Sequence, residues 1–106
     1  MKAARLAREF ANRAVPHSGN LLLLRPGDAL ALVSRAAEEG VPIVGIDGVR
    51  VSATATESPI EHLADFSAAV AGGHGCWQDA ETFIRERDAL GLVFELTLGS
   101  DPIEVV

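Results

Sequence analysis

The spacing of apolar residues near the start of the chain predicts an amphipathic helix. Leu6, Phe10 and Ala14 recur at intervals of four, which places them on one helical face, and Pro16 then ends the segment. We therefore predict a helix over about 3–14 whose apolar face packs on a core.

The next segment combines an ambiguous apolar run with a clearer helix. The four leucines at 21–24 show no periodicity, so strand and helix both stay open there. A helix is expected over about 29–39, because Asp28 suits its N-cap and Gly40 suits the position after its end.

The middle of the chain predicts two strands joined by a tight turn. Residues 41–46 are apolar nearly throughout, as in a strand covered on both faces. Residues 49–55 alternate apolar and polar positions, as in a half-exposed strand. Between them, Asp47 and Gly48 match the preference of a type I′ turn, which predicts a hairpin with its tip at this pair.

Two more helices and a last strand are expected after this hairpin. Ser58, Pro59 and Glu61 form a helix-start signal, which predicts a helix to about Ala71 with Leu63 facing inward. The remaining pattern predicts a loop, a helix and a strand, at about 72–75, 76–90 and 92–98.

These elements predict an α+β fold with helices packed on a three- or four-stranded mixed sheet. If 21–24 is a strand, the order β-α-β-β-α-β permits a ferredoxin-like arrangement with an extra N-terminal helix. We expect one domain over 1–106: a basic helix and loop (1–20), the α+β core (21–98) and a C-terminal tail (99–106).

Composition excludes several classes of protein. An apolar content of 48% in 106 residues is enough for a core and argues against disorder. The longest aliphatic run has four residues, so no membrane span is expected. One cysteine and no apparent secretory leader predict a cytoplasmic protein without disulfides.

Charge divides the chain into a basic beginning and an acidic remainder. Residues 1–27 carry five basic side chains and one acidic one, or +4, and residues 28–106 carry four and fourteen, or −10. The total of −6 argues against nucleic-acid binding and favours a basic protein partner. The basic segment also fits a transit peptide, but we favour the packed helix.

Cys76 and His74 are the candidates for catalysis or metal binding. A thiol at a helix N-terminus is a potential nucleophile, but no orienting partner for His74 is evident, so a structural cysteine beside Trp77 is favoured. His62, His74 and Cys76 lack the paired spacing of zinc ligands. No catalytic residue, metal or cofactor is therefore predicted.

Acidic residues are the favoured binding candidates. Glu57, Glu61 and Asp65 gather at one end of the helix expected after Ser58, and Asp47 stands at the expected hairpin tip. Such a cluster is either a solvated surface that favours solubility or a surface that attracts a basic partner. We predict these four residues as partner-binding residues.

Parts of the chain resemble small stand-alone bacterial toxin-immunity proteins. The resemblance spans 28–98 and rests on four stretches: VPIVGIDGVRV at 41–51, EHLADFS at 61–67, CW at 76–77 and FI at 83–84. It implies an acidic, cytosolic, non-enzymatic protein that blocks a cognate toxin domain.

The favoured interpretation is a non-catalytic immunity or inhibitor protein that occludes a basic partner such as a nuclease-type toxin. Two alternatives remain: a ferredoxin-like regulatory or oligomerising domain that binds a small molecule, and a small thiol-dependent enzyme using Cys76 and His74. A homodimer is compatible with either binding interpretation.

Overall fold

A computed structural model describes residues 2–15, 22–51, 56–57 and 62–99, and within them the chain forms a sheet covered on one face by helices. The helices are α1 (Lys2–Phe10), extended by a 3₁₀ turn at Ala11–Arg13, α2 (Pro26–Glu39), α3 (Ser67–Ala71) and α4 (Trp77–Glu86). The strands are β1 (Leu23–Leu24), β2 (Ile43–Val51), β3 (Thr56–Glu57), β4 (Leu63–Asp65) and β5 (Val93–Leu98). The predicted α+β class is confirmed. Within the run at 21–24, Leu23–Leu24 forms strand β1, and Leu21 lies outside the described residues.

The sheet is four strands wide, in the order β1-β5-β2-β3. Strands β3 and β4 lie one after the other along the same side of β2. All pairings among the described strands are antiparallel, rather than the mixed set expected. From β1 onward the element order is β-α-β-β-β-α-α-β rather than the β-α-β-β-α-β of a ferredoxin-like arrangement. Strand β1 also stands at an edge beside β5, whereas a ferredoxin-like sheet has its first strand inside.

The hairpin expected at Asp47 and Gly48 does not form there, because β2 runs straight through both residues. Gly48 is required for close packing: a Cβ at this position would lie 2.9 Å from the Cβ of His62. The chain instead reverses direction between Val51 and Thr56, which are paired in register.

The helix predicted from Ser58 to Ala71 is wrong in its middle, where Leu63–Asp65 forms strand β4. Among the described residues of the expected segment, only Ser67–Ala71 is α-helical. The proposed helix start at Ser58 and Glu61 lies outside the described residues. Leu63 was expected to face inward, yet it is 53% exposed.

A β-bulge explains why the first half of β2 is apolar nearly throughout. The register of β2 against β5 shifts between Ile43 and Gly45, so Val44 is an extra residue. In a regular strand, residues three positions apart lie on opposite faces. Because of the extra residue, Ile43 and Ile46 are instead both buried on the helix-covered face.

The core lies between this face and the helices. α1 contributes Leu6 and Phe10, which are 0% and 2% exposed, so the prediction that this basic helix packs on the core is confirmed. Ion pairs of Arg35 with Glu9 and of Arg5 with Glu39 join α1 to α2 at the surface. Gly40 ends α2 in the left-handed conformation, as predicted.

Candidate functional site

Two of the four predicted binding residues come together on the sheet face that the helices leave uncovered. Residues paired across antiparallel strands share a face. Asp47 is paired with Leu63 on β4, and Asp65 is paired with Gly45 on β2, so both carboxylates belong to this face. The sequence placed Asp47 at a turn and Asp65 on a helix, and the structure places both on strands.

The other two predicted residues do not join this group in the described part of the chain. The backbone of Glu57 pairs with Arg50, farther along β2 than Asp47. Glu61 lies outside the described residues. Asp65 therefore lies on strand β4 rather than on the expected helix, and the carboxylates that the described residues bring together come from β2, β4 and β5.

Glu95 is the member of this cluster that the sequence analysis missed. It lies directly opposite Asp47 in the pairing of β2 with β5. The available signal was its position in an alternating strand, where Val93, Glu95 and Thr97 share the face turned away from the core. The register that places it beside Asp47 links residues 48 positions apart, which no local pattern reveals.

The pKa of the Glu95 carboxyl is raised, first by partial burial and then by the charge of Asp47. Like charges directly opposite each other across two strands destabilise a sheet. The fold therefore keeps an unfavourable pair on this face.

Asp65 differs because a local hydrogen bond stabilises its charge. The backbone N–H of Ser67, at the start of α3, donates to Asp65 Oδ1 over 2.9 Å. Hydrogen bonding from the Ser67 side chain, followed by this bond from the Ser67 backbone, lowers the pKa of the exposed Asp65 carboxyl. Ser67 thus favours the ionised form of Asp65.

We call this surface the acidic sheet face and define it by five residues: Asp47, Leu63, Asp65, Glu95 and Thr97. Apart from Glu95, these residues help to line a shallow depression of about 210 Å³. Among the described residues, none of its three carboxylates forms an ion pair. Within the described part of the chain, the negative charge here is therefore uncompensated by ion pairs, and it lies around one exposed leucine.

The uncovered area is limited to the half of the sheet near β4. Leu23 is paired with Glu95 and Val49 lies two residues after Asp47, so both belong to the same face. Leu23 is nevertheless fully buried and Val49 is 3% exposed. A partner could therefore reach the acidic sheet face from the β4 side.

The acidic residues of α4 are a separate set, and two of them are partnered. Glu81 pairs with Arg85 at 3.6 Å, and Glu86 pairs with Arg87. Arg87 also stacks 3.9 Å above the Phe83 ring and donates from Nε to His62 Nδ1. Through these contacts, Arg87 links the end of α4 to His62, next to strand β4.

Cys76 and His74 do not form a nucleophile and base pair. The Cys76 thiol is buried and its Sγ lies 3.9 Å from the carbonyl oxygen of His74 rather than from the imidazole. Burial, followed by the charge of Asp79, raises the pKa of the Cys76 thiol. A raised pKa opposes formation of the thiolate, which is the reactive species.

Cys76 has a structural setting instead. It adopts a left-handed conformation with φ of 63° and precedes α4. The neighbouring Trp77 donates from Nε1 to the carbonyl of Val41 over 2.8 Å, and its ring covers Gly75 so closely that a Cβ there would overlap it. The hydrogen bond from Trp77 thus holds the start of α4 against the segment that leads into β2.

Across the described ranges, no group of three or more histidine, cysteine, aspartate or glutamate side chains has the arrangement of a metal site. None of the described helices has the length and apolar character needed to cross a bilayer. Comparisons with protein-family models and with curated proteins give no match.

Proposed function

We propose that this protein is a non-catalytic binding protein whose acidic sheet face captures a basic protein partner and inhibits it by occlusion. A nuclease-type toxin domain is the partner class that we favour, which makes the protein an immunity or inhibitor protein. Carboxylates of the acidic sheet face would then occupy the cationic cleft in which such a nuclease holds phosphates.

One observation carries this proposal: Asp47 and Glu95 are directly opposed on the uncovered face, and no ion pair among the described residues compensates them. Such an arrangement costs stability in the free protein. A cationic partner removes that cost on binding and gains charge-assisted hydrogen bonds. The exposed Leu63 beside them supplies an apolar contact on the same surface.

Association kinetics test the proposal. The protein is mixed with a panel of purified, positively charged nuclease-type toxin domains, and association and dissociation rates are measured at about 50 and 300 mM salt, across which screening changes strongly. We expect the double variant Asp47→Asn/Asp65→Asn to associate at least about tenfold more slowly with a bound domain at low salt.

The matched control is Glu81→Gln/Asp88→Asn, which removes the same number of charges from exposed positions in and after α4. It should lose much less of the association rate. Equal losses in both variants would show that net charge alone matters and would contradict the assigned surface. Failure of every domain in the panel to bind would contradict the partner class.

A further inference from the structure

Among the described strands, β4 pairs only with β2 and so forms an outer edge of the sheet. On its inner side, the Phe66 N–H donates to the carbonyl of Val44 over 2.7 Å. Backbone groups alternate in direction along an antiparallel strand. The N–H and C=O groups of Ala64 therefore point towards β2, and those of Leu63 and Asp65 point outward from the sheet.

These outward groups have no backbone partner among the described residues. An unpaired edge is a template for another strand, and natural proteins limit such pairing with short edge strands, lysine, proline or a covering segment. Strand β4 is short, with three residues, but it carries neither lysine nor proline, and Leu63 at its start is 53% exposed. Its only charge, Asp65, has the sign that attracts a basic chain.

We propose that the β4 edge binds an extended basic segment of the partner as an added antiparallel strand. This inference rests on the proposed function and specifies how the acidic sheet face recognises its partner. The added strand places alternate side chains beside Leu63 and Asp65 on that face. Its preferred pattern, from N- to C-terminus, is a basic residue opposite Asp65, any residue, and an apolar residue opposite Leu63.

Charge argues against a second copy of this chain as the occupant. Two β4 strands paired antiparallel about Ala64 would set Asp65 of one copy opposite Leu63 of the other. The two acidic sheet faces would then lie side by side on one surface, and their like charges would repel. A cationic strand meets no such repulsion.

The test uses a synthetic peptide with the sequence Lys-Thr-Val-Thr-Lys-Thr-Val, blocked at both ends, and the full chain labelled for amide NMR. Residues opposite Leu63 and Asp65 exchange both hydrogen bonds with them. N-methylation of the lysine and valine positions should therefore weaken binding at least about tenfold. N-methylation of the threonine positions, whose N–H groups point to solvent, should change it less than about threefold.

Two controls separate this inference from the proposed function. A scrambled peptide of the same composition keeps the charge and loses the pattern, so it should bind at least about fivefold more weakly. Equal binding of all four peptides, or binding of none while a cationic toxin domain still binds, would overturn strand addition and leave the proposed function standing. Self-association of the protein through β4, measured by sedimentation, would also overturn it.

Discussion

Replacing Glu95 by glutamine should stabilise the protein at neutral pH, because it removes the repulsion with Asp47. The two residues are directly opposite in register, which places their Cβ atoms about 5 Å apart. Two charges about 6 Å apart repel by roughly 0.7 kcal/mol in water and roughly 2.8 kcal/mol at an effective dielectric constant of 20. Both side chains are only partly buried, so we expect a gain near the lower value.

This gain should depend on pH in a defined direction. The pKa of Glu95 is higher in the folded protein than the ordinary 4.5, so protonation favours the folded state. The stabilising effect of protonation is complete below the pKa that Glu95 has in the unfolded chain. It is lost as the pH rises through the pKa that Glu95 has in the folded protein. Glu95→Gln should therefore match the wild type at acid pH and exceed its stability progressively above that range.

Urea denaturation at a series of pH values measures this difference, followed by the fluorescence of Trp77, the only tryptophan. Asp47→Asn should give a smaller gain at pH 7, because it removes the repulsion but leaves the charged Glu95 carboxyl partly buried. The double variant Asp47→Asn/Glu95→Gln should gain less than the sum of the two. A pH-independent difference, or a Glu95→Gln variant less stable than the wild type at pH 7, would refute the reasoning.

Three further predictions concern the packing around this surface. Gly48→Ala should lower the free energy of unfolding by about 1–3 kcal/mol, because the added Cβ would lie 2.9 Å from the Cβ of His62. The control is Gly27→Ala in α2, where the added Cβ meets nothing within 4 Å; it should be neutral or stabilise the protein by up to about 1 kcal/mol. Trp77→Phe should cost about 1–3 kcal/mol, measured by circular dichroism, because the carbonyl of Val41 loses its donor. Cys76 should react with iodoacetamide more slowly in the native protein than in urea at pH 8, because its thiol is buried and has a raised pKa. Cys76→Ser should leave partner binding intact. Fast alkylation of the native protein would restore the thiol enzyme as a candidate.

Local patterns were sufficient for the elements whose apolar face meets the core. The burial of Leu6 and Phe10, the stop at Gly40 and the alternation of β5 all followed from period and cap signals. These features depend on residues close together in the chain or on the burial of one face of an element. Both leave a local pattern that can be seen in the sequence.

The errors arose where distant pairing outweighs local preference. Asp47 and Gly48 have the composition of a turn, yet the close approach of His62 accounts for the glycine and β5 pairs with both residues. Leu63 and Phe66 have helical spacing, but pairing with β2 makes Leu63–Asp65 a strand. Glu95 lies in the cluster because the long-range pairing of β2 with β5 sets it opposite Asp47. The sequence therefore predicted that the cluster is acidic, but not which residues form it.

The most direct test of the central claim is a map of backbone amide shifts during titration with a cationic toxin domain that binds. The account predicts that the largest changes fall on the acidic sheet face, at Asp47, Leu63, Asp65, Glu95 and Thr97, and that they diminish as salt is raised. Amides of α4 should move little. Changes centred on α4, or on the basic helix α1, would contradict the claim that this uncovered face is the binding surface.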